Sequence, residues 1–161
     1  MRRRRPAGGT RPSLPSIAAV FESCRREGRA AFIPYVAAGD PDLHATGRLL
    51  FSLERSGADL VELGVPFSDP VADGPVNQRA AERALRSGTT LGGILEALRG
   101  WRRDGLALPA VLFTYLNPAL AMGLERFARR ARECGADAVL AVDLPPEEAA
   151  DYRRALARPG V

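Results

Sequence analysis

Residues 56–63 read SGADLVEL, and the same order returns at residues 134–142 as CGADAVLAV. In both, a glycine ends a helical pattern, Ala-Asp follows, and a short apolar run begins. The runs are apolar on both faces, as expected of strands buried on both sides in a parallel sheet. One residue breaks the pattern. Glu62 sits at the centre of the first run, and burying a charge there costs several kcal/mol (roughly) unless it is paired or used.

Working outward from these runs, strand and helix patterns alternate along the chain. Ile17, Val20, Phe21 and Cys24 have helical spacing, with Gly28 as a stop. Residues 30–39 form a β-rich run, although Pro34 within it argues against an ordinary central strand. Asp40-Pro41 is a helix-start signal, cap then first helical position, for a helix carrying Leu49, Leu50 and Leu53 and ending near Gly57. After the strand at 58–64, a helix from Val76 aligns Ala80, Ala81, Ala84 and Leu85 and stops at Gly88. Another begins at Thr90, with Leu91, Ile94, Leu95 and Leu98 inward. A strand at 109–115 precedes a helix at 124–135 that aligns Leu124, Phe127, Ala128 and Ala131. After the strand at 136–143, a last helix opens at residues 145–148 with acids in its first turn. Its last turns carry Arg153, Arg154 and Arg158, which suits the helix dipole. Repeated strand–helix units are the grammar of a (β/α)8 barrel or a doubly wound sheet. No GxGxxG or Walker loop follows any strand, which weakens a nucleotide-binding reading.

Composition narrows the chemistry. The chain has 161 residues, 46% apolar and 26% charged, which suits one globular domain with a sizeable core. No apolar run approaches the roughly 18 residues of a membrane helix, so no membrane is expected. All 23 basic residues are arginine, so no Schiff-base lysine is available. Cys24 and Cys134 have no metal or redox spacing and read as reduced thiols; no metal is expected. His44 reads as an exposed first-turn residue rather than a base. The net charge of +4 is concentrated at Arg2–Arg5, followed by a Pro/Gly-rich segment. Residues 1–15 are read as a solvated, disordered tail rather than a nucleic-acid contact; no apolar stretch of secretory length follows the arginines, and an organellar transit peptide stays an alternative, though a very short one.

Acids recur where the strand patterns finish: Asp40, Glu62 and Asp143. In a barrel, that end is where reacting groups sit. Leu60 and Glu62 share one strand face, so if Leu60 points into the barrel, Glu62 stands one layer higher at its mouth. Desolvation there would disfavour the charged form of Glu62 and suit it to proton transfer. Asp73 follows in a loop stiffened by Pro66, Pro70 and Pro75, where more water would keep it ionised. Two carboxyls in contrasting environments can divide acid and base roles. The competing reading is structural: an edge glutamate, with Asp69 or Asp73 merely capping the helix near Val76.

Four motifs in order, FIPYVAAGDP (32–41), VELGVPFSDPVADGPVNQ (61–78), TYLNP (114–118) and GADAVLAVDLPPEE (135–148), closely resemble the tryptophan synthase alpha subunit. The resemblance covers about residues 16–161. It implies the (β/α)8 TIM-barrel family, with an N-terminal helix and about the first four β/α units, and cleavage of indole-3-glycerol phosphate to indole and glyceraldehyde 3-phosphate. By resemblance, Glu62 is the general acid/base and Asp73 accepts from the indole N–H. Tyr35 and Leu140 fall where the family packs the indole ring, with Tyr115 close by. Pro66, Phe67, Asp69, Asn117 and Pro118 resemble the surface that docks a beta subunit in an α2β2 assembly. That subunit holds pyridoxal phosphate; no cofactor is expected in this chain, and a cytoplasmic location is.

The chemistry agrees. Breaking the carbon–carbon bond requires protonating the indole ring carbon, so positive charge develops towards the ring nitrogen, and a fixed carboxylate beside N–H stabilises it. Members of the family are longer, and the Gly-rich phosphate loops are expected after later strands. The expectation is a truncated chain, poorly soluble or self-associated, with little lyase activity alone. Two alternatives remain: a non-catalytic fragment that at most binds a beta subunit, and a paralogous stand-alone lyase releasing free indole.

Overall fold

The computed structural model describes residues 16–161; the tail expected over residues 1–15 lies outside the described residues. Strands β1 (Tyr35–Ala37), β2 (Val61–Gly64), β3 (Ala110–Thr114) and β4 (Ala138–Ala141) form one parallel sheet in the order β1-β2-β3-β4. Helices α1 (Ile17–Arg26), α2 (Leu43–Arg55), α3 (Pro75–Arg86), α4 (Leu91–Arg103), α5 (Leu116–Met122), α6 (Leu124–Cys134) and α7 (Ala150–Ala157) complete four consecutive β/α units preceded by a helix. This is the arrangement of the first units of a (β/α)8 barrel.

The register sorts the side chains. Tyr35, Glu62, Val111 and Ala138 lie side by side in one row, and Ala37, Gly64, Phe113 and Leu140 form the next. Both rows share the face that lines a barrel. The opposite face carries Val61, Leu63, Ala110 and Leu112, all fully buried, in one core with Leu50, Ile94, Leu95, Leu98 and Phe127 from the helices. Below Glu62, Leu60 packs with Val20 and Cys24 of α1, so that helix closes the N-terminal end of the barrel face.

Several expected boundaries move. The cap of α2 is Asp42, whose side chain accepts from the Ala45 N–H, and Asp40-Pro41 lies before the helix. In α7, residues 145–148 form a turn and the helix starts at Ala150, with Asp151 as its first-turn acid. No helix is expected from TYLNP, yet α5 spans Leu116 to Met122. Pro118 is tolerated in its first turn because backbone N–H groups there have no intrahelical partner. Strand β1 is short. Pro34 precedes it and accepts from the Glu62 N–H while donating nothing, which an edge strand permits. Phe21, Leu49 and Leu85, expected to face inward, are exposed on the rims of their helices. His44 is exposed as expected and contacts Arg48.

The GAD echo has a shared physical cause. Asp59 accepts a bidentate pair from Arg29, at 2.7 Å each, and the Phe32 N–H at 2.8 Å. Asp137 accepts from Arg102 at 2.8 Å and from the Ala110 N–H at 2.8 Å. Each aspartate thus joins the start of its own strand to the neighbouring strand's entry through one arginine. Hydrogen bonds from Arg29 hold the Asp59 carboxyl well below the usual carboxylate range. A carboxyl depressed on folding stabilises the fold above its unfolded value, about 4, and loses that contribution as pH falls further. Thermal unfolding followed by circular dichroism from neutral to strongly acid pH should therefore show a steeper acid-side decline in the wild-type chain than in Asp59→Asn. Parallel declines would remove Asp59 from the account.

Among the described residues, β1 and β4 each pair along one side only. At or beside these edges Phe32 is 51%, Ile33 36% and Leu140 40% exposed.

Candidate functional site

Asp40 and Asp143 follow the C-terminal ends of β1 and β4, Glu62 is the second residue of β2 on the barrel face, and the structure commits the first two. Asp40 accepts from Arg83 Nε at 2.8 Å and Nη2 at 2.7 Å, and this pairing lowers its carboxyl. Asp143 Oδ1 accepts the Leu116 N–H at 2.8 Å and so fixes the start of α5. Glu62 differs: among the described residues its carboxylate accepts no hydrogen bond and forms no ion pair. It is half-buried on the barrel face, between Tyr35 and Val111 in register.

Asp73 is not a helix cap. The cap of α3 is Gly74, with no side-chain cap bond, and Pro75 supplies the first helical residue. Asp73 instead closes a turn, its N–H donating to the Pro70 carbonyl at 3.0 Å, while Gln78 Nε2 donates to the Asp73 carbonyl at 2.8 Å. Its side chain reaches across to β3's end, where the Tyr115 hydroxyl donates to Oδ2 at 2.9 Å. Asp69 is exposed and accepts from the Ser68 hydroxyl, so it caps nothing either.

Tyr35 and Tyr115 frame the two acids. Burial pushes the Tyr35 phenol up to about 12, and the charges of Asp73, Tyr115 and Glu62 add to that in this order. Tyr35 is in register with Glu62, and Tyr115 is joined to Asp73 by a hydrogen bond. The Tyr35 hydroxyl lies over Gly64, where an added Cβ would sit 2.2 Å from its oxygen; the glycine of VELG is the space this tyrosine needs. The Tyr35 ring meets Phe113 edge-on at 5.3 Å. Phe113 is half-buried beside Leu140 in register, so a strip of Tyr35, Phe113 and Leu140 forms the apolar part of the site. The sequence reading missed Phe113, although its alternation with Val111 in the strand pattern was the available signal. Leu140, expected at the ring-packing position, is 40% exposed at the open β4 edge.

The residues expected to face a partner lie on the loop beside this site. Pro66 and Phe67 are half-buried, while Asp69 and Asn117 are exposed, with Pro118 intermediate. Phe67 and Asp69 line a groove of about 310 Å³ with Val71, Gln78 and Glu82, and Val71 is 84% exposed. A half-buried carboxylate with no internal partner, a second carboxylate steered by a phenol and an aromatic strip can together bind a flat heteroaromatic ring and move a proton at it.

A family model described as Tryptophan synthase alpha chain matches residues 21–161. The tryptophan synthase alpha chain of Bordetella parapertussis is 54% identical over 146 residues, covering 90% of this chain and 51% of that protein. The crystal structure of tryptophan synthase subunit alpha from Legionella pneumophila superposes with a TM-score of 0.86 at 42% identity, covering 90% of this chain and 55% of that one. A chain of the tryptophan synthase complex from Pyrococcus furiosus gives 0.76 at 38% identity, with 81% and 53% covered. The chain thus spans about half the length of the curated relatives it matches.

Proposed function

The chain belongs to the tryptophan synthase alpha chain family, and on that premise we propose that it furnishes the proton-transfer side of a lyase site. The substrate is indole-3-glycerol phosphate; the products are indole and glyceraldehyde 3-phosphate. Glu62 in its acid form delivers a proton to the ring carbon that bears the glycerol chain. The bond to the side chain then breaks, its electron pair restoring the aromatic ring. The adjacent hydroxyl becomes the aldehyde and gives up its proton to the Glu62 carboxylate, so protons and electrons balance. Asp73 accepts the ring N–H and stabilises the charge that builds there before the bond breaks. Tyr35, Phe113 and Leu140 supply the apolar wall. The observation that carries this reading is the uncommitted Glu62 carboxylate, set on the barrel face while its neighbours Asp40 and Asp143 are both engaged.

The loop bearing Pro66, Phe67 and Asp69, with Asn117 and Pro118 beside it, is the proposed docking surface for a beta chain in a cytoplasmic α2β2 assembly. In this reading pyridoxal phosphate belongs to that partner, and the lyase step draws on side chains alone. Incubating the chain with indole-3-glycerol phosphate should release indole and glyceraldehyde 3-phosphate in equal amounts. The rate should be well below that of the longer relatives, and added beta chain should raise it. Indole release no faster than from a Glu62→Gln control would overturn the assignment.

A further inference from the structure

We propose that Tyr115 is the positioning residue for Asp73, its hydroxyl fixing one carboxylate oxygen so that the other is left for a ring N–H. This rests on the reading of Asp73 given above and adds a role separate from ring packing. The phenol makes two bonds of opposite sense. It accepts the Ala72 N–H at 2.9 Å and donates to Asp73 Oδ2 at 2.9 Å. A hydroxyl carries a single proton, so the bond from Ala72 dictates where that proton points: towards the carboxylate. Among the described residues Asp73 Oδ1 accepts nothing.

The two ends of this contact differ in rigidity. Asp73 sits in the irregular segment between β2 and α3, which by itself gives its side chain no fixed direction. Tyr115 leaves β3 and opens α5, and it is 3% exposed. Its carbonyl accepts from the Thr114 hydroxyl at 3.0 Å, and the next N–H is held by Asp143. The Phe67 ring lies against the Tyr115 ring with centroids 5.2 Å apart. A reacting group on a loop is thereby oriented by a side chain mounted on a strand–helix junction, which locates it more sharply than the loop alone would. Burial pushes the Tyr115 phenol up, the Ala72 N–H opposes this, and the charges of Asp73 and Asp143 add to the rise. The hydrogen bond to Asp73 is among the causes that raise this phenol, so its titration reads out that carboxylate.

Three measurements test this. In Asp73→Asn, ultraviolet difference titration of Tyr115, assigned by comparison with the Tyr115→Phe variant, should move down by about one pH unit as the carboxylate is lost. In Tyr115→Phe, hydrogen exchange at the Ala72 N–H should quicken by about tenfold or more as its acceptor disappears. Where indole release is measurable, Tyr115→Phe should lower kcat with little change in KM, and adding Asp73→Asn should lower it little further. An unmoved Tyr115 titration in Asp73→Asn would overturn the proposal; should Tyr115→Phe fail to fold, the same titration is assigned by elimination, from Tyr35→Phe and Tyr152→Phe, since the chain has three tyrosines. Wild-type kcat in a folded Tyr115→Phe would overturn it as well. A chain that releases no indole but shows the first two effects retains the positioning role and loses only the lyase reading.

Discussion

On the proposed lyase reading, Glu62→Gln is expected to abolish most turnover of indole-3-glycerol phosphate, by about 10² to 10⁴-fold, the usual contribution of a positioned proton-transfer group. Glutamine keeps the size of the side chain and a carbonyl oxygen but can neither deliver nor remove a proton. Glu62 makes no hydrogen bond or ion pair among the described residues, so the exchange breaks no internal contact and folding should be unaffected. The loss should therefore fall on kcat, with KM changing little. Asp73→Asn should cost less, because the amide oxygen can still accept from a ring N–H while the stabilising charge is gone. The measurement is steady-state indole release by both variants beside a melting curve for each. Near-normal turnover in Glu62→Gln would remove this residue from the reaction.

The largest stability effect is expected at Asp137. Its partner Arg102 has a side chain only 4% exposed and meets the Asp137 carboxylate at 2.8 Å. Removing the carboxylate costs this arginine a charge-assisted hydrogen bond at 2.8 Å, a loss of about 1.5–3 kcal/mol. Arg102 also donates to the carbonyls of Gly135, Leu106 and Leu108, which places Asp137→Ala towards the lower end of that range. The same change strips the Ala110 N–H of its acceptor at the start of β3. Asp137→Asn keeps an acceptor for that N–H and should lose less. Urea unfolding of the two variants against wild type measures this order; a loss below about 1 kcal/mol for Asp137→Ala, the scale of an exposed ion pair, would show that the contact is not holding the sheet.

How much of this was legible in the residues depends on the range of the interaction. The inward face of α4 could be read from Leu91, Ile94, Leu95 and Leu98, because side chains three and four apart share a helix face. The placement of Glu62 on the same face as Leu60 followed from the two-residue period of a strand, and the register bears it out. Starts such as Thr90 at α4 were visible because a cap bonds an N–H three residues on. Other features left little trace. Helix α5 carries Asn117-Pro118, which reads as loop chemistry, and it forms because Asp143, 27 residues away, holds its first N–H. The start of α2 shifted from Asp40 to Asp42 because Asp40 is taken by Arg83, 43 residues further on.

The sequence by itself determined the parallel strand–helix repeat, the strand face that carries Glu62, and the motif that marks the family. These depend on neighbours within a turn of helix or a step of strand, and on residue types that survive reading in one dimension. The tertiary structure alone decided which of the strand-end acids are free. Asp40, Asp143 and Glu62 look alike in the chain; only the packing of α3 and α5 against the strand ends engages the first two. It also decided that Asp73 is steered by Tyr115, a bond between residues 42 apart, made possible because β2 and β3 run parallel and bring their C-terminal ends to the same side of the sheet.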